Sequence, residues 1–164
     1  MDKTDFRKLL FKVAFCTMAC DGRIAEREIS EIKLMDRKAS FFDDIDLSSE
    51  LDQLIKEFRD KGIKVIEELF QTLRTNKLTA IQELLVLEVS LRIMNADEVH
   101  DENEIKFLHL LRSKLELHDE TINERFGRLE VLHTSDYVKN IKTENLKDEF
   151  SEEIIVPELK QFEL

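Results

Sequence analysis

The sequence predicts an all-α fold, a compact multi-helix bundle around two buried central helices. Its 164 residues contain only three glycines and one proline, too few for the many turns of a β-sandwich or barrel. Two segments, residues 5–20 and 79–95, are apolar on nearly every side, and a helix of that kind must be surrounded by protein. Each is followed by an amphipathic helix, so the sequence predicts pseudo-symmetric helix-pair repeats.

The spacing of apolar residues and the capping signals define the individual helices. An internal glycine costs about 1 kcal/mol relative to alanine, so the amphipathic stretch 49–74 is one helix or two joined near Gly62. Thr79 and Gln82 have the spacing of a capping box at the start of the second apolar helix. In order, the predicted helices span residues 5–20, 26–38, 49–74, 79–95, 101–115 and about 119–126.

Composition narrows the class of protein. Apolar residues make up 42% of the chain, which excludes a disordered chain, and charged residues make up 37%, which excludes a membrane-embedded one. The formal charge of −11 argues against a general nucleic-acid binder, since phosphate backbones need clustered Lys and Arg. It is compatible with cation binding or with a basic protein partner. No apolar run approaches the ~18 residues that span a bilayer, and peripheral membrane association stays open.

The chain divides into a helical domain and an acidic extension. We expect one domain over residues 1–128 and a C-terminal extension over residues 129–164, which carries nine acidic and four basic residues. The extension is expected to pack on the core through one or two short helices, with the segment EEIIVPEL extended. The start of the chain shows no secretory signal, so a cytoplasmic location is expected.

Four side chains outside the regular apolar pattern are expected in the core. Cys16 and Cys20 have no His or further Cys nearby, so they are expected to be buried, reduced thiols rather than zinc ligands. Phe41 and Phe42 lie in a predicted loop, residues 40–49, and are expected to turn inward rather than form a contact patch.

An internal repeat carries the main functional signal. A shift of 76 residues aligns residues 18–29 with residues 94–105 without a gap, and Met, Asp, Glu, Glu and Ile coincide. In each copy the stretch joins an apolar helix to an amphipathic one. The repeat therefore predicts a duplicated helix pair in which the two apolar helices pack together.

These stretches resemble the signature of a known family. Residues 19–24, Ala-Cys-Asp-Gly-Arg-Ile, with the two glutamates that follow, are similar to the A-D-G-x-I…E motif of the TerB-like, tellurite-resistance family. Residues 95–97, Asn-Ala-Asp, with their own two glutamates, resemble a second copy of that motif. The spacing of the copies, the long middle helices and the segment RSKLEL (112–117) extend the resemblance over roughly residues 8–127.

The resemblance implies a compact all-α fold, no established catalytic chemistry and an acidic metal-binding site. It also implies an association with bacterial stress and tellurite resistance. Two positions depart from the family pattern. Glu98 stands where the family has glycine, which leaves the turn geometry of the second copy open, and Arg23 stands where the family often has an acid, which bears on cation affinity.

The acidic helix junctions predict a weak divalent-cation site. An aspartate follows each central helix, and a glutamate lies in the first turn of the next helix. If both junctions lie at one end of the bundle, these carboxylates repel each other unless a cation or added protons relieve them. Hard oxygen ligands of this kind suit Ca²⁺ or Mg²⁺. The predicted ligands are Asp21, Glu28, Asp97 and Glu104, with Glu26 and Glu102 at the rim.

Helix capping alone is the alternative explanation of these acids. Carboxylates at helix N-termini are favoured by about 0.3–1 kcal/mol each, and Asp101 with Glu104 already has capping-box spacing. An EF-hand fits poorly, because Arg23 and Val99 fall at the third loop position, where an oxygen ligand is needed.

Two further groups of polar residues need an explanation. Glu88 lies in an apolar helix and its repeat equivalent is Lys12, so the two are expected to form an ion pair near the pseudo-symmetry axis or to reach solvent separately. The histidines form no HExxH motif and are expected at the surface. They are His100, His109, His118 and His133.

The sequence contains no catalytic motif for hydrolysis, nucleotide binding or zinc chemistry, so we expect a non-enzymatic protein. The leading hypothesis is a TerB-like helical protein that binds a divalent cation or a protein partner in a stress response. The competing hypothesis is an interaction module whose acidic face docks a basic partner without metal. A carboxylate-metal hydrolase, the third class, would need a deep pocket at the junctions.

Overall fold

The protein is an all-α bundle, as the sequence predicted. The structure, a computed structural model, describes residues 1–20, 24–43, 45–96, 102–129 and 132. Over those residues it contains seven α-helices and no strand. In chain order they are α1 (Lys3–Ala19), α2 (Glu26–Ala39), α3 (Leu47–Lys61), α4 (Lys64–Thr75), α5 (Ala80–Asn95), α6 (Glu102–Ser113) and α7 (Asp119–Phe126).

Helices α1 and α5 form the centre of the bundle and make its most extensive helix–helix contact. From residue 9 to residue 20, every side chain of the first segment except Lys12 is buried. On α5 the buried apolar side chains are Val86, Leu87, Val89, Leu91, Ile93 and Met94. Helices α3, α4 and α6 pack against α1, and α2 and α6 pack against α5. Two buried central helices packed on each other are therefore confirmed.

The stretch 49–74 is two helices rather than one. Gly62 ends α3 with φ 59° and ψ −130°, a backbone conformation that a residue with a Cβ atom adopts only at a cost. Helix α3 begins at Leu47, earlier than predicted, because the Asp46 carboxylate accepts a hydrogen bond from the Ser49 N–H at 3.2 Å. The predicted loop is therefore shorter than expected at its C-terminal end.

The side chains expected in the core lie there. Phe41 and Phe42 are buried, and the Phe42 ring meets Phe11 edge to face with centroids 5.6 Å apart. Cys16 and Cys20 are free, buried thiols. Burial raises the pKa of Cys16 to about 12, so its thiolate is not formed at neutral pH.

The predicted extension lies almost wholly outside the described residues. Of residues 129–164, the structure describes Leu129 and Leu132. Leu132 is buried in the core, and Leu129 is partly buried against it. The helices and the extended segment predicted farther along lie outside the described residues.

Candidate functional site

The C-terminal end of α1 lies beside the C-terminal half of α5, where the hydroxyl oxygens of Thr17 and Ser90 are 3.0 Å apart. Just beyond α1, the side-chain amide of Asn103 donates to the Cys20 carbonyl oxygen at 3.4 Å. Asn103 lies in the first turn of α6, directly after the second junction. The end of α1 therefore contacts the first turn of α6, the helix that follows the second junction.

Two of the four predicted cation ligands are described, and both are buried. Glu28 and Glu104, at matched positions of the repeat, are each 2% exposed. Glu28 Oε1 accepts a hydrogen bond from the Ala25 N–H at 2.9 Å, so this carboxylate caps α2. Asp21 and Asp97 lie outside the described residues. The cluster of four carboxylates therefore stays a prediction, and capping explains at least part of the role of Glu28.

Burial distinguishes these two glutamates from ordinary helix-capping acids at a surface. A carboxylate removed from water needs hydrogen bonds or a positive charge to offset the lost hydration. Asn103, between the two junctions, is also buried, at 7% exposure. Polar groups are thus concentrated where the apolar core reaches the end of the bundle. Such oxygen-rich surroundings can hold a hard cation, provided that further carboxylates complete the coordination.

The rim residues face solvent. Glu26 is exposed, and the Glu102 side chain is 83% exposed and pairs with Lys106 at 3.3 Å. Within the part of the chain that the structure describes, no group of three or more His, Cys, Asp or Glu side chains can hold a metal ion. A group of three such side chains would therefore need at least one residue outside the described ranges, such as Asp21 or Asp97.

The expected ion pair between Lys12 and Glu88 is wrong. Glu88 Oε1 lies 2.8 Å from Nη2 of Arg125 and 3.4 Å from Nη2 of Arg92. Arg92 is one turn farther along α5, and Arg125 reaches over from α7, a helix without an equivalent in the predicted repeat stretch. Lys12 instead lies near the Cys16 thiol, where its positive charge partly offsets the effect of burial on the thiol pKa.

The prediction of surface histidines holds for one of the two that are described. His118 is exposed. His109 is half-buried, with its Nε2 atom shielded from solvent, because the inner side of α6 packs on the central helices. His100 and His133 lie outside the described residues.

Asn103 is the junction residue that the sequence did not reveal. Its repeat equivalent is Arg27, which is exposed, so the alignment of the two copies gave no signal for a buried amide at this position. An asparagine directly after Glu102 at the start of a helix is also unremarkable in sequence, since such positions commonly carry capping residues.

None of the described helices is long and apolar enough to cross a membrane. No protein-family model matches the chain, and no curated protein and no solved structure matches it. The resemblance to the TerB-like family therefore rests on the sequence motifs alone and stays a prediction.

Proposed function

We propose that the protein is a non-enzymatic, TerB-like helical protein that binds a divalent cation where α1 and α5 end. The hydrogen bond from Asn103 to the Cys20 carbonyl carries this proposal, because it joins the end of the first central helix to the helix that follows the second. Asp21 follows Cys20 directly in the sequence. The contact supports a shared location for both acidic junctions.

The buried glutamates supply the chemical reason for a cation. If the two acidic junctions lie together, repulsion among their carboxylates is weakly screened, because Glu28 and Glu104 are shielded from water. Ca²⁺ or Mg²⁺, which prefer oxygen ligands, would relieve that repulsion. A cation present at 100 times its Kd would stabilise the fold by about 2.7 kcal/mol. Such a response suits a cytoplasmic protein of a bacterial stress or tellurite-resistance pathway, the role that the resemblance suggests.

Titration calorimetry with CaCl₂ and MgCl₂, together with thermal unfolding, tests the proposal. We expect heat of binding and a raised Tm for the parent chain, and the loss of both when Asp21→Asn and Asp97→Asn are combined. Asp52→Asn is the matched control, because this aspartate is exposed on α3. No heat and no change in Tm at millimolar concentrations of either ion would reject the cation site.

An interaction module without metal is the second candidate. The exposure of Glu26 and Glu102 favours it, because both side chains reach solvent beside the start of their helices. In that case the paired aspartate substitutions would weaken the capture of a basic partner in a salt-sensitive way, while neither ion would affect the parent chain. The Asp52→Asn chain should capture the partner as the parent does.

A further inference from the structure

A groove of about 620 Å³ opens between the N-terminal half of α1, one face of α5 and the residues that follow α2. We call it the arginine groove, because Arg7, Arg92 and Arg125 line it. With one lysine, it has four cationic side chains against two carboxylates. The groove is therefore positive although the chain has a formal charge of −11. Its volume is in the range of small-molecule sites, about 300–1,000 Å³.

One carboxylate oxygen holds two of the three guanidinium groups. Glu88 Oε1 lies within 3.4 Å of Nη2 of both Arg92 and Arg125, and the Glu88 side chain is only 12% exposed. A single negative charge offsets one of the two positive charges, so one positive charge is left at this point of the groove. Glu88 also fixes both guanidinium groups in place, which lowers the entropy cost of binding an anion there.

The two arginines still have donors for a ligand. Each guanidinium carries five N–H donors, and its described contact with Glu88 uses Nη2. The side chains of Arg92 and Arg125 are 39% and 49% exposed, so both heads are accessible from the groove. A planar carboxylate matches such donors with two parallel hydrogen bonds.

Apolar side chains lie directly beside the positive heads. Phe6, Phe41 and Leu85 line the same groove, and the Arg92 guanidinium carbon lies 5.4 Å from the centroid of the Phe41 ring. Phe6 and Phe41 are 8% and 7% exposed and Leu85 is half-buried, so the remaining atoms of a ligand held by the arginines would contact the exposed edges of these side chains. A purely polar anion would leave this part of the groove unused.

We infer that the arginine groove binds an amphipathic monocarboxylate of the fatty-acid type. The carboxylate accepts hydrogen bonds from Arg92 and Arg125, and the hydrocarbon chain lies along Phe6, Phe41 and Leu85. This binding site shares no residue with the proposed cation site, so each site can be tested without changing the other.

Calorimetric titration of the full chain with decanoate, below its micelle concentration, tests this inference. We expect saturable binding with one decanoate per chain. Arg92→Gln and Arg125→Gln should each weaken binding about tenfold, because each removes one charge-assisted pair of hydrogen bonds. Arg74→Gln is the matched control: this arginine is exposed on α4, and its described hydrogen bond goes to the Gln71 side chain.

Two further probes test the charged group and the hydrocarbon chain of the ligand one at a time. Decanol, which lacks the charge, and acetate, which lacks the chain, should both bind at least tenfold more weakly than decanoate. Leu85→Ala, at a half-buried position, should weaken decanoate and leave acetate unchanged. Thermal unfolding of every variant shows whether the groove is still formed.

Several results would overturn the inference. They are equal binding of decanol, unchanged decanoate affinity in both folded arginine variants, or no saturable binding at all. A peptide of residues 149–160, EFSEEIIVPELK, tests a different occupant. If that peptide binds and decanoate does not, the groove belongs to the acidic C-terminal segment of the chain.

Discussion

The two central helices hold their neighbouring loops with opposite chemistry at matched positions. Arg7 of α1 and Glu83 of α5 are equivalent under the shift of 76 residues. Arg7 donates from Nη1 to the Asp43 carbonyl oxygen at 3.1 Å. Glu83 accepts from the Glu116 N–H, 3.1 Å from each of its carboxylate oxygens. Arg7 thus connects α1 to the loop after α2, and Glu83 connects α5 to the loop after α6.

This difference shows that two helix pairs can make similar contacts with side chains of opposite charge. A loop backbone offers both carbonyl acceptors and N–H donors, so either a cation or a carboxylate on the central helix can bind it. Lys12 and Glu88 show the same reversal of charge at another matched pair. The two halves therefore share the positions of their contacts, while the sign of the charge at a position is not repeated.

The largest effect is expected where the two halves are most alike, in the core. Phe11 and Leu87 are equivalent in the repeat, and both are 0% exposed. Phe11→Ala should lower the free energy of unfolding by about 3–5 kcal/mol and Leu87→Ala by about 2–5 kcal/mol, because each leaves a cavity. Urea denaturation measures both. Ile81→Ala, at a position 72% exposed, should stay within about 0.5 kcal/mol of the parent. A decrease in the free energy of unfolding below about 1 kcal/mol at either core position would contradict the central position of both helices.

A smaller effect is expected where the halves differ in charge. Glu88→Gln should cost about 0.5–1 kcal/mol at low salt, because it removes the partner of two partly exposed arginines. Lys12→Gln should be nearly neutral. The double variant tests the absence of an ion pair between them, since urea denaturation should then give additive changes. A coupling energy clearly above about 0.5 kcal/mol would support the ion pair between Lys12 and Glu88 that the sequence suggested.

The smallest expected effect is a change of stability with pH that Glu83 causes. Burial raises the pKa of Glu83 above its usual value of 4.5, although the N–H groups of Glu116 and Leu117 act in the opposite direction. The folded state therefore binds a proton at the Glu83 carboxylate more tightly than the unfolded state does. Protonated Glu83 stabilises the fold below about pH 4.5, and this contribution to the free energy of unfolding is lost as the pH rises through the folded pKa. In urea denaturation between pH 4 and 8, the Glu83→Gln variant should not show this fall in the free energy of unfolding.

Arg7→Gln is the matched control for the pH experiment. Arginine does not titrate in this range, so this variant should keep the pH dependence of the parent chain even if its stability is lower. A steeper loss of stability with rising pH in Glu83→Gln than in the parent would contradict the raised pKa.

Much of the fold follows from the sequence because its local signals agree with one another. Thr79 and Gln82 form the predicted capping box, with each backbone N–H bonded to the side-chain oxygen of the other residue. Gly62 marks the break between two helices as its conformational freedom suggested. These features depend on a few neighbouring residues, and the continuous apolar surface of α1 required burial whatever packed against it.

The contacts of long charged side chains could not be predicted in the same way. Glu88 had several cations within possible reach, and its partner was decided by the position of α7, which brings Arg125 to it. The arginine groove combines side chains from α1, α5 and α7, with no shared motif. For the proposed cation site, the sequence placed Glu28 and Glu104 in the first turns of α2 and α6, but their burial depends on how the helices pack at the end of the bundle.

The two hydroxyl groups between the central helices limit how those helices can align. The Thr17 hydroxyl donates to the Val13 carbonyl oxygen at 2.8 Å, so the Ser90 hydroxyl is the donor in the 3.0 Å contact between them. Sliding α5 along α1 by one turn, about 5.4 Å, would still bury apolar side chains but would leave the Ser90 hydroxyl in a dry interior without its acceptor. The contact between Thr17 and Ser90 therefore favours the observed alignment of α5 on α1.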